Sequence, residues 1–96
     1  MKVELSDEAQ RQVSEIDTWW RTNRDKAPNL FAEEMEEALG LLESAPTLGT
    51  IYDKAKGVRR LGLKKTGYHV YFAPTDDLLT VVAVWAGRRK HGPPLA

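Results

Sequence analysis

This sequence predicts an α+β fold. It reads as an N-terminal strand, an antiparallel helical hairpin and a three-stranded antiparallel meander, with the helices packed on one face of the sheet (β-α-α-β-β-β). Two observations carry that expectation. Apolar residues recur at spacings of three and four through residue 45, then at every second residue beyond residue 57. The turns between the later segments are too short for a crossover, so those strands must be antiparallel neighbours. With 96 residues, 42% of them apolar and 29% charged, the chain is one ordinary globular domain. Its expected parts are a strand over 1–5, a helical hairpin over 6–46, a meander over 57–87 and a basic tail over 88–96.

Residues 2–5 (KVEL) alternate as a short strand does. Ser6 is placed to cap a helix, and Asp7 and Glu8 put negative charge at the positive end of its dipole. Ala9, Val13, Ile16 and Trp20 form the apolar stripe, with Trp19 beside it. The residue before Pro28 is disfavoured in helical geometry, which predicts that this helix ends near Lys26. Asn29 is positioned to cap a second helix, whose stripe is Phe31, Met35, Ala38, Leu42 and Ala45. Glu33, Glu34, Glu36 and Glu37 cover its solvated side, and Pro46 and Gly49 stop it. Val58 to Leu63 reads as a strand, and Lys65-Thr66-Gly67 as a turn. Tyr68, Val70 and Phe72 then alternate with His69 and Tyr71, and Pro74 to Asp77 turn again. Leu78 to Ala86 (LLTVVAVWA) is nearly continuous in β-formers, as a strand covered on both faces would be. The sheet face away from the helices is expected to be open and to carry Arg60, His69 and Tyr71.

The formal net charge of zero conceals a division. Residues 1–49 hold 5 Lys/Arg against 11 Asp/Glu, and residues 50–96 hold 9 against 3, so the halves carry −6 and +6. The basic half is suited to an anionic partner. Without cysteine, the chain has no disulfide framework, thiolate zinc site or cysteine nucleophile. Two histidines, at 69 and 91, do not match a zinc-ligand spacing, and phosphate-loop, dinucleotide and serine-hydrolase motifs are absent. No cofactor is expected. No apolar run reaches membrane-spanning length and no secretory leader is evident, so a cytoplasmic location is the default expectation.

What remains is a basic constellation on the meander. Arg59 and Arg60 lie on its first strand, Lys64 and Lys65 at the turn, His69 on the next strand, and Arg88, Arg89 and Lys90 beyond the last. Metal-free phosphodiester cleavage needs a base, cations for the charge developing on phosphorus, and an acid for the leaving oxygen. His69 and His91 are the candidate base and acid, and Arg60 and Arg89 the candidate charge stabilisers. Arg59, Lys64, Lys65, Arg88 and Lys90 are candidate substrate-binding cations. Tyr71 is suited either to stack on a base or to pack beneath a partner. Trp19, Trp20 and Trp85 read as core or core edge.

These residues in this order are familiar. Val58-Arg59-Arg60-Leu61, the stretch Lys-Thr-Gly-Tyr-His-Val-Tyr-Phe at 65–72, and Val-Val-Ala-Val-Trp-Ala-Gly-Arg-Arg at 81–89 resemble the RelE/ParE superfamily, toxins of bacterial type II toxin–antitoxin systems. The resemblance spans essentially the whole chain. It implies a cytoplasmic growth inhibitor neutralised by a cognate antitoxin. The favoured expectation is RelE-like cleavage of mRNA on the ribosome, with ParE-like poisoning of DNA gyrase as the alternative and a non-toxic protein-binding module as a third. On the RelE-like pattern Arg60 falls where a lysine is usual, His69 where an arginine is common, and Arg89 on a matching arginine. Gly62 replaces a second lysine, and Leu95 falls near the usual tyrosine.

Overall fold

The computed structural model describes residues 1–95. Ser6 ends the first strand, β1 (Lys2–Leu5), and starts α1 (Asp7–Asn23), its hydroxyl accepting from the amide of Ala9 at 3.1 Å. The helix ends at Asn23 rather than near Lys26. There the Asn23 side chain donates to the carbonyl of Trp19, and Arg24 leaves the helix with its guanidinium over the rings of both Trp19 and Trp20. The second helix, α2 (Leu30–Ser44), begins after Asn29 as expected, although the Asn29 side chain makes no capping bond. Phe31, Met35, Ala38 and Leu42 are buried, as their spacing requires. Glu34 is buried too, against the expectation of a solvated acidic face.

Four more strands follow: β2 (Thr50–Asp53), β3 (Val58–Gly62), β4 (Tyr68–Pro74) and β5 (Leu78–Ala86). The sheet has five strands in the order β1-β5-β4-β3-β2, with β1 parallel to β5 and every other pair antiparallel. The meander thus has four strands where the sequence suggested three. The additional one, Thr-Ile-Tyr-Asp, is a short edge with no apolar alternation. Ile51 is 61% exposed, so no burial pattern marks this segment in the sequence. Pairing with β3 across the Lys54–Gly57 turn makes it a strand, helped by Gly57 at positive φ and the Asp53 carboxylate accepting from Lys56 N–H.

The two helices cover one sheet face. The main core lies there, built on Phe31, Leu42, Val70, Phe72, Leu79, Val81 and Val84. A second, smaller cluster of Val58, Tyr71 and Ala83 lies on the opposite face, flanked by Ala73, Val82, Trp85 and Leu95. That face is not open: the C-terminal segment crosses it, burying Pro93 and packing Leu95 into the second cluster. Covering from both sides explains the continuous apolar run of β5. No helix among the described residues is long and apolar enough to cross a membrane.

Candidate functional site

Alternation along β3 and β4 puts Arg60, His69 and Tyr71 on the face away from the helices. Arg60 sits opposite Tyr71, and Gly62 opposite His69, which in turn faces Trp85 of β5. The Tyr52 ring meets Tyr71 edge-on at 4.7 Å between centroids, and the Arg60 guanidinium lies 5.7 Å from the centre of the Tyr52 ring. Tyr71 is only 3% exposed, which leaves it no face for stacking on a ligand. Burial pushes its phenol up, while Arg60 pulls the other way.

Gly87 makes room for the His69 imidazole, and Gly62 packs beside it. A Cβ at Gly87 would stand 2.8 Å from both His69 Nε2 and the carbonyl oxygen of Gly67, and one at Gly62 would stand 3.7 Å from His69 Cδ2. Burial, with the Arg60 charge adding to it, holds the imidazole below the ordinary histidine value of 6.5. The ring is therefore neutral at neutral pH. An unfolded chain takes up this proton first, as the pH falls through about 6.5, and stability drops from there until the folded ring titrates as well. We expect the urea midpoint to fall between about pH 7 and pH 5, and to fall less in His69→Asn. Parallel pH profiles for the two proteins would refute this assignment.

The other cations are dispersed. By register Arg59 shares the side of Phe72, and its guanidinium donates to the carbonyls of Thr47 at 2.6 Å and Gly49 at 3.2 Å. It ties down the loop between α2 and β2, on the side of the sheet away from Arg60. Lys65 belongs to a turn docked on α2, with its ammonium 4.0 Å from Glu37, and its neighbour Lys64 is exposed on that same turn. The Arg89 guanidinium carbon sits over the Trp85 ring, 4.4 Å from its centre, and the Trp85 indole N–H donates to the carbonyl of His91 at 2.8 Å. Trp85 thus links Arg89 and His91 to the edge of the His69 face. The exposed Lys90 lies between them in sequence.

Arg88 stands beside Arg89. It lines a groove of about 590 Å³ between α1 and the end of β5, together with Arg11, Trp19, Tyr68 and Trp85. Arg11 there is paired with Glu8 and Glu15. The sequence reading missed two residues of these surfaces, Tyr52 and Arg24. Their signals were an aromatic before a glycine-closed turn and a cation four to five positions after a Trp-Trp pair. Among the described residues, no group of three His, Asp or Glu could hold a metal ion.

With this geometry in view, residues 3–91 match the family model described as the ParE toxin of type II toxin–antitoxin system, parDE. The chain belongs to the ParE toxin family. A search of curated proteins finds no match. Among solved structures, one described as the chromosomal ParDE TA system from P. aeruginosa superposes with a TM-score of 0.73 at 16% identity, covering 90% of this chain and 95% of that one. At that identity the superposition establishes the shared fold. The family match overturns the expectation of RelE-like mRNA cleavage, since it places the chain on the ParE branch of the superfamily. The site agrees with the correction. Gly62 supplies no cation there, and the chain's own C-terminal segment crosses the face.

Proposed function

We propose that this ParE-family chain arrests bacterial growth by poisoning DNA gyrase, without nuclease chemistry of its own, and that a cognate antitoxin neutralises it. The observation that carries this reading is the family match from the first strand to His91. In it the sheet-face cluster of Arg60, His69 and Tyr71 is a packed surface rather than a catalytic centre. Arg88 and Arg89 are offered at the end of β5 as contacts to the target.

Two further surfaces support an antitoxin partner. An apolar groove of about 480 Å³ runs between the helices, lined by Leu5, Val13, Phe31, Met35 and Leu39 among others. The free edge of β2 shows Ile51 and Tyr52 to solvent, and such an edge invites pairing with another chain. A partner segment lying along either would bury them.

The test is brief expression from a tightly controlled promoter, with thymidine and amino-acid incorporation followed in parallel. We expect DNA synthesis to stop first, an SOS reporter to respond, and His69→Ala to remain toxic. Prompt arrest of translation with intact DNA would overturn the gyrase reading.

A further inference from the structure

The segment that crosses the second sheet face is His91-Gly92-Pro93-Pro94-Leu95, and it forms no hydrogen-bonded secondary structure. Proline fixes its own φ and drives the preceding residue to extended geometry, so two prolines in succession impose a stretched, polyproline-like path. Prolines also lack the N–H donor, which leaves carbonyl oxygens as the polar groups such a segment presents.

The sheet supplies matching donors. Trp85 Nε1 donates to the carbonyl of His91 at 2.8 Å, and Lys56 Nζ donates to the carbonyl of Leu95 at 2.9 Å. They hold the two ends of the Gly-Pro-Pro stretch. Between them Gly92 passes so close to Tyr52 that an added Cβ would stand 2.2 Å from the phenolic oxygen. Pro93 is buried, and Leu95 packs against the cluster of Val58, Tyr71 and Ala83. Beside Pro94 and Leu95 the groove runs on as a depression of about 530 Å³ lined by Val58, Ala73, Val82 and Ser6. An indole N–H aimed at a ligand carbonyl, with aromatic and apolar walls for the rings, is the arrangement by which grooves recognise proline-rich peptides.

We propose that this sheet face is a docking groove for extended proline-rich segments, that residues 91–95 occupy it in cis, and that a proline-rich segment of another protein chain can take their place. The tethered tail has the advantage of a high effective concentration, while among the described residues its side-chain hold on the groove is two hydrogen bonds, one of them from an exposed lysine. Weakening the tail therefore opens the groove to a peptide added in trans.

The test uses the full chain carrying Pro93→Ala and Pro94→Ala, changes remote from the main core. The indole N–H of Trp85 is followed by NMR. That of Trp20, bonded to the Tyr68 hydroxyl, serves as the control for an intact fold. We expect the double substitution to shift the Trp85 signal and speed its exchange about tenfold, with Trp20 unmoved. A synthetic peptide of residues 89–95 should return the signal toward its native position, and the same peptide with both prolines replaced by alanine should bind about tenfold more weakly. The proposal falls if the double variant leaves Trp85 unchanged, if neither peptide binds, or if both bind alike.

Discussion

Replacing Glu34 by alanine is expected to cost about 2–3 kcal/mol, on the order of 10–20 °C in melting temperature for a chain of this size. Its carboxylate accepts from the amides of Lys65 at 2.7 Å and Thr66 at 3.0 Å, and from the Thr66 hydroxyl at 2.6 Å. Hydrogen bonds to an ionised acceptor are about twice as strong as neutral ones, and these three converge on a buried residue. They fasten the turn between β3 and β4 to the N-terminal half of α2. Thr66→Val removes the hydroxyl and keeps both amide bonds, so a loss of about 1 kcal/mol is expected. In a double-mutant cycle the two changes should not add, because they share a partner. Chemical denaturation of the four proteins measures this. Additive losses, or a Glu34→Ala variant as stable as the parent, would show that the carboxylate does not anchor the turn.

Gln12→Leu is the second large effect, at about 1–3 kcal/mol. β1 pairs with β5 only from Leu78 to Val81. Beyond it the outer edge of β5 continues with no strand beside it, and the start of α1 takes over. Ser6 N–H donates to the carbonyl of Val81, and the Gln12 side-chain oxygen accepts from Val84 N–H at 2.7 Å in a buried setting. A leucine fits the space and leaves that amide without an acceptor, and a buried unpaired N–H carries its full desolvation cost. Amide exchange at Val84 should accelerate by about the factor that the stability loss implies, or more, while β4 amides follow global unfolding alone. A Val84 amide as protected in Gln12→Leu as in the parent would contradict this role.

Glu34 and Gln12 show where reading by residue type stops. Both are polar residues on helices; Glu34 is expected on the solvated side, and Gln12 is of a type that carries no expectation of burial. Helical spacing carried a hint for Glu34, which lies three residues after Phe31 and four before Ala38 and so flanks the apolar stripe. Nothing local announced that the turn at 65–66 would bring it two amides. Gln12 lies one residue before Val13, beside its stripe, and the amide it satisfies is 72 positions away. The same limit separates Arg59 from Arg60. Adjacent strand residues point to opposite faces, so one ties the loop at 47–49 and the other meets Tyr52. A list of cations along the chain cannot tell a loop tie from a surface group.

The sequence by itself determined the two helices and their buried stripes, the three longer strands, the charge division and the superfamily. These follow from periodicity and from turn residues whose preferences act over a few positions. Tertiary structure alone decided the parallel docking of β1 on β5, the recruitment of β2 as an edge and the burial of Glu34 and Gln12. It also decided the return of the tail across Trp85 and Tyr52. Each of these is a pairing between groups far apart in the chain. Such a pairing becomes favourable only once the sheet exists to present unpaired amides, carbonyls and an apolar face that must be covered.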